Sequence, residues 1–191
     1  MRKQISSMPK FIPTQPHPGS FGAVRKFDIH TGVDIYFKKD EEKKIYALED
    51  STYVYNSIFT GPEVMTPWWN TTYALVLKGS SGLHHLYGEI SICPFLLQRV
   101  SAYSRYHHYY TAKKEESVIR KGTLLGTVIP VLKDHEVRDY IPHHSNYMLH
   151  FEMYSEFTSP VMWKLNTPKP KNLLDPTAFL DKNIQYLICP Q

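Results

Sequence analysis

The sequence predicts an all-β fold, a single domain with long loops, and three observations carry that expectation. Apolar and aromatic runs of strand length outnumber runs with helical spacing. Tyrosine and proline are abundant, 14 of each, which suits strands and extended connections. The best-defined run, Tyr147–Tyr154, reads Tyr-Met-Leu-His-Phe-Glu-Met-Tyr, with no glycine or proline to interrupt it. A chain of 191 residues is normally one domain and can bury a real core.

In chain order, residues 1–20 read as an extended arm, because Pro9, Pro13, Pro16 and Pro18 disfavour regular structure, and residues 21–191 as the domain. Residues 1–10 read as a loose tail. For residues 11–20 the sequence leaves open whether the arm lies across the domain. Arg2 and Lys3 precede no apolar run, so no secretory signal is expected, nor is any segment apolar enough to span a membrane. The formal charge of +4 is small. It suits an anionic wall polymer or surface, and with no basic stripe it does not point to nucleic acid.

Residues 38–44 form a charged run that reads as a solvated loop. Residues 53–59 and 72–77 read as strands, and the loop between them carries Trp68 and Trp69, which can line a binding groove. Residues 91–114 make a long connection in which His107 and His108 sit among tyrosines, read as an insertion for recognition or assembly. His143 and His144 occupy a loop just ahead of Tyr147–Tyr154. Cys93 and Cys189 can make one bridge at most, and their pairing stays open. Residues 160–176, rich in proline, should wrap the sheet before a short closing segment through Leu180. No phosphate loop or serine elbow is present.

Two stretches carry chemistry. On a strand, Met148, His150 and Glu152 share one face, while Tyr147, Leu149, Phe151 and Met153 share the other. One face is apolar and packs into a core; the other lines up an imidazole and a carboxylate, which need partners if buried. Alone, this reads most simply as a core histidine bonded to a neighbour. The segment His30-Thr31-Gly32-Val33-Asp34 changes the balance, because His30, Asp34 and His150 together make a set of ligands that zinc accepts, with a fourth position left for water.

Here the chain resembles the lysostaphin- or LytM-type zinc endopeptidases, which cut peptide cross-links in bacterial cell walls. Residues 30–34 match the family's HxGxD, and residues 148–152 its HxHFE strand. Residues 45–54, IYALEDSTYV, resemble its vyA…dGtV hairpin. Residues 82–91, GLHHLYGEIS, resemble G…vYgHLs, residues 118–126 its VkkGqxiG turn, and residues 175–180 its closing DPxxyL. Six elements agree in order and rough spacing over residues 21–180, which is most of the chain. The resemblance implies an antiparallel β-sandwich-like domain of the duplicated hybrid motif, with a groove walled by loops 62–70, 93–114 and 134–146. It implies zinc held by His30, Asp34 and His150.

The resemblance also locates two departures. The family's catalytic histidines fall on Met148 and, aligned through Tyr87-Gly88, on Glu89; a shifted register would instead place His85 on the second. Met148 is expected to point into the groove. On a regular strand Tyr87, Glu89 and Ser91 would share a face, and Glu89, ionised at an exposed surface, could serve as general base. His143, His144 or His85 would then support the oxyanion, and Glu152 would support a ligand imidazole or line the groove. Two functions follow: a divergent zinc endopeptidase acting on peptidoglycan peptides, or an inactive zinc-binding relative, such as the leukocyte-derived chemotaxin type, that binds a peptide, glycan or protein. If the wall is the substrate, release by lysis or carriage in a particle would replace secretion.

Overall fold

The computed structural model describes residues 11–94, 96, 118–133 and 146–189. Eleven strands are defined among them: β1 (Asp28–Ile29), β2 (Val33–Phe37), β3 (Lys44–Tyr46), β4 (Ser51–Thr60), β5 (Thr72–Gly79), β6 (His84–Ile92), β7 (Val118–Ile119), β8 (Leu124–Val128), β9 (Tyr147–Tyr154), β10 (Trp163–Lys164) and β11 (Leu173–Leu174). The pairings are antiparallel. Nine strands join one sheet, along the path β11-β9-β6-β5-β4-β7 with β2, β3 and β8 attached, and β1 and β10 form a small second sheet. The all-β expectation fits this mostly β architecture. One departure is the helix α1 (Thr177–Ile188), where only a short closing segment was expected. Asp175 Oδ1 accepts the Thr177 N–H at 2.9 Å, which satisfies a free helical donor. Leu180, Ile184 and Leu187, spaced to share one face, pack that helix on the core.

The strand β9 is paired along both edges. Its first half pairs with β2 and its second half with β11, while its other edge pairs with β6. Both of its faces are buried as well, from Leu149 to Tyr154. One face, with Leu149, Phe151 and Met153, joins Val33, Ile35 and Phe37 of β2, Tyr87 of β6 and Leu180 of α1 in the main core. The opposite face carries a smaller apolar cluster, Ala74, Val76, Leu86, Tyr154 and Leu173, and beside it the polar residues of the candidate site.

Strand β6 is not regular. Tyr87 pairs with Leu75 but Ile90 pairs with Tyr73, so β6 uses one residue more than β5 to cover the same length. The extra residue is accommodated by Glu89, whose φ is 63°, a left-handed value rare outside glycine. At this bulge β6 also changes partner, from β9 up to Gly88 to β8 from Ile90. Residues 11–20, left open by the sequence, pack against the domain: Gly19 and Ser20 are buried, and the Gly19 carbonyl accepts the Asp34 N–H at 2.8 Å. Cys93 and Cys189 are both free thiols. No helix among the described residues is long and apolar enough to cross a membrane.

Candidate metal centre

Alternation along β2 and β9 puts Asp34 opposite His150 on the face away from the main core. His30 enters from the turn between β1 and β2. His30 Nε2, Asp34 Oδ1 and His150 Nδ1 form a triangle with edges of 3.1, 3.1 and 2.9 Å. All three residues are buried. This group can bind a metal ion. Bonds of 2.0–2.1 Å in a tetrahedral site put neighbouring donors about 3.3 Å apart, so the triangle already has close to the size zinc needs.

The outer nitrogens settle which atoms face the centre. His30 Nδ1 donates to the Ser20 carbonyl at 2.9 Å, leaving the Nε2 lone pair directed inward. His150 Nε2 donates to Glu152 Oε1 at 2.9 Å, leaving Nδ1 inward. Glu152 also accepts hydroxyl bonds from Thr31 and from Tyr154, so both its oxygens are engaged and it anchors the imidazole rather than facing the centre. Gly32 is required by this closeness: a Cβ there would lie 2.5 Å from the Phe151 carbonyl oxygen and 2.9 Å from His150 Nε2.

Electrostatics describe a centre that attracts positive charge. Burial pushes the Asp34 carboxyl up, but His30 and His150 outweigh it and hold it well below the usual range. Burial opposes charge on His150, yet hydrogen bonds to Asp34 and Glu152 prevail and raise it to about 10. A proton on His150, or a metal ion bound by the triangle, answers the same demand. Burial lowers His30, and Asp34 offsets this only in part.

Glu89 stands against this face, though not as expected. Tyr87 and Ile90 both point into the main core, so a regular strand would not have turned Glu89 toward the ligands. The bulge does, and the carboxyl lies within the field of Asp34, His150 and Arg25. The shared face of Tyr87 and Glu89 is thus corrected: the left-handed backbone at Glu89 reverses the alternation. Glu89 is also buried, not exposed, and among the described residues its Oε2 has no hydrogen-bond partner. Burial first, and Asp34 second, raise its pKa to about 8. Phe59 closes the wall, its ring 5.3 Å from His150 and against Gly88, where a Cβ would come within 2.9 Å.

Met148 is half-buried on the His150 side of β9, opposite Tyr36 of β2, the face that strand parity gives it. Trp68 is exposed, whereas Trp69 is half-buried and bridges to Leu132. His85 is corrected. It pairs with Met153, points into the main core and touches the Phe151 and Phe179 rings, so it lies across the sheet from the centre. His143 and His144 lie outside the described residues, as do His107 and His108.

Two contributors escaped the sequence reading. Arg25 Nη2 binds Asp34 Oδ2 at 2.6 Å. Tyr36, two residues beyond Asp34, shares its face, and burial and the Asp34 charge push its phenol up. Strand parity could have found Tyr36; nothing local marks Arg25, nine residues before its partner. No protein-family model matches the chain, and no curated protein matches it significantly.

Proposed function

We propose that the protein is a zinc-dependent peptide hydrolase in which Glu89 is the general base, acting on peptides such as those of the bacterial cell wall. The observation that supports this most is Glu89 itself: a buried carboxyl with an oxygen unpartnered among the described residues, turned toward the ligand face by its own left-handed backbone. Backbone strain at a non-glycine residue tends to persist where function holds it. A zinc ion at His30, Asp34 and His150 supplies Lewis-acid polarisation and eases the ionisation of water. Glu152 and the Ser20 carbonyl orient the two imidazoles, and Phe59 excludes solvent from one side of His150. A nearby dication also lowers the Glu89 pKa, which lets Oε2 accept a proton near neutral pH.

The second reading is a zinc-binding module without catalysis, favoured by Met148, whose thioether beside His150 can neither donate nor accept a proton usefully. Glu89→Gln separates the two. Zinc content, measured by elemental analysis, is expected to stay near one per chain in both proteins. Hydrolysis of wall peptides by the wild type is expected to fall about 10²–10⁴-fold in the variant. A wild type with full zinc and no activity on any peptide library leaves the binding module as the reading.

A further inference from the structure

We propose that Arg25 forms an anion subsite at the lip of the metal centre, so that the ligand is a peptide carrying a carboxylate next to the group that meets the ion. The inference deepens the reading of the site as a peptide-binding metal centre.

The guanidinium is held in place before any ligand arrives. The Arg25 backbone is tied in a turn, its N–H donating to the Asp28 carbonyl at 2.9 Å. Nη2 donates to Asp34 Oδ2 at 2.6 Å and to the Pro18 carbonyl at 3.1 Å, and Nε donates to that same carbonyl at 3.3 Å. The Asp34 oxygen it holds is the one that does not face His30 and His150, so the cation sits one carboxylate away from the three inward donors. A side chain fixed through two of its nitrogens loses little further freedom on binding.

What remains free points to the ligand. Among the described residues Nη1 makes no hydrogen bond, and the side chain is still 39% exposed. Asp34 has spent its outer oxygen on this contact, and the nearby Glu89 carboxyl does not bond to the guanidinium. A second anion can therefore meet an open N–H pair on a fixed cation. The same turn exposes Val24 and Phe27, at 76% and 78%, on either side of the arginine. Exposed apolar side chains in the same turn as a fixed cation suit a peptide with a carboxylate and an apolar side chain better than an inorganic anion. With one nitrogen open, the contact is one-point rather than a two-pronged fork, so the gain is modest, about tenfold.

The test uses the full chain loaded with zinc, with metal content measured in every sample. N-acetyl-alanyl-alanine is titrated calorimetrically as the free acid and as the C-terminal amide. The acid is expected to bind wild type about tenfold more tightly than the amide. In Arg25→Gln that preference should shrink to within about twofold, and Arg25→Lys should keep part of it. Should Arg25→Gln lose zinc, the Arg25 Nε resonance of the wild type decides: it is expected to shift with the acid and not with the amide. Equal binding of the two forms, binding of neither, an undiminished preference in zinc-loaded Arg25→Gln, or an unmoved Nε resonance overturns the proposal. None of these readouts requires hydrolysis, so an inactive protein would refute the catalytic reading and leave this one standing.

Discussion

Replacing Gly32 with alanine perturbs the centre without touching a ligand. The new Cβ would meet the Phe151 carbonyl oxygen at 2.5 Å, and His150 Cε1 and Nε2 at 2.9 Å. The carbonyl belongs to β9 backbone already paired with β2 through Val33 and Phe151, so it cannot rotate away. Contacts under 3.0 Å are essentially never tolerated, so β2 and β9 must part by at least about 0.5 Å, and the His150 ring must follow. Metal ligands keep their distances to within about 0.2 Å, so that displacement is more than the donor triangle can absorb. Overpacking of this kind costs about 1–3 kcal/mol, which for a domain of this size lowers the melting temperature by about 2–12 °C. Zinc affinity, titrated against a chromophoric chelator, should fall by about 10–100-fold, the range seen when ligand orientation is lost. A Gly32→Ala protein with unchanged melting temperature and unchanged affinity would refute both the strand register and the identity of the centre.

Two further outcomes follow from the same geometry. Glu152→Gln removes a charge that holds the His150 tautomer and takes hydroxyl bonds from Thr31 and Tyr154; zinc affinity is expected to fall about 10–100-fold while the sheet stays intact by circular dichroism. Burial lowers His85 from 6.5 to about 4, against the partial help of Glu49. The unfolded chain therefore takes up the proton first, so this contribution is complete above pH 6.5 and drains away as the pH falls toward 4, by about 3 kcal/mol. Denaturant melts at pH 7 and pH 5 should show about 2 kcal/mol of that loss in wild type and less in His85→Leu; equal losses would place the titrating group elsewhere.

Much of the centre was legible because its signals are local. The side-chain period of two on an uninterrupted strand sends Met148, His150 and Glu152 to one side, and β9 runs over the residues expected of it. The glycine between His30 and Asp34 proves to stand where β9 approaches closely, at His150 and Phe151, a reason no local signal gave. The helix α1 was also written in the chain, in the spacing of Leu180, Ile184 and Leu187, although proline-rich surroundings and the expectation of a short ending obscured it.

Residue pattern alone determined which side chains could hold an ion and which face of their own strand they occupy, since both follow from chemistry and from chain geometry over a few residues. Tertiary structure alone decided what surrounds them. The face taken by Glu89 depends on a bulge where β6 stays paired with β5 while passing from β9 to β8. The placement of His85 in the core, the turn at Ser20 that orients His30, and the hold of Arg25 on Asp34 each join residues through packing of separate segments. Period-two reasoning carries no information across such joins, because it describes one regular strand, whereas partner changes and bulges are set by the strands on either side.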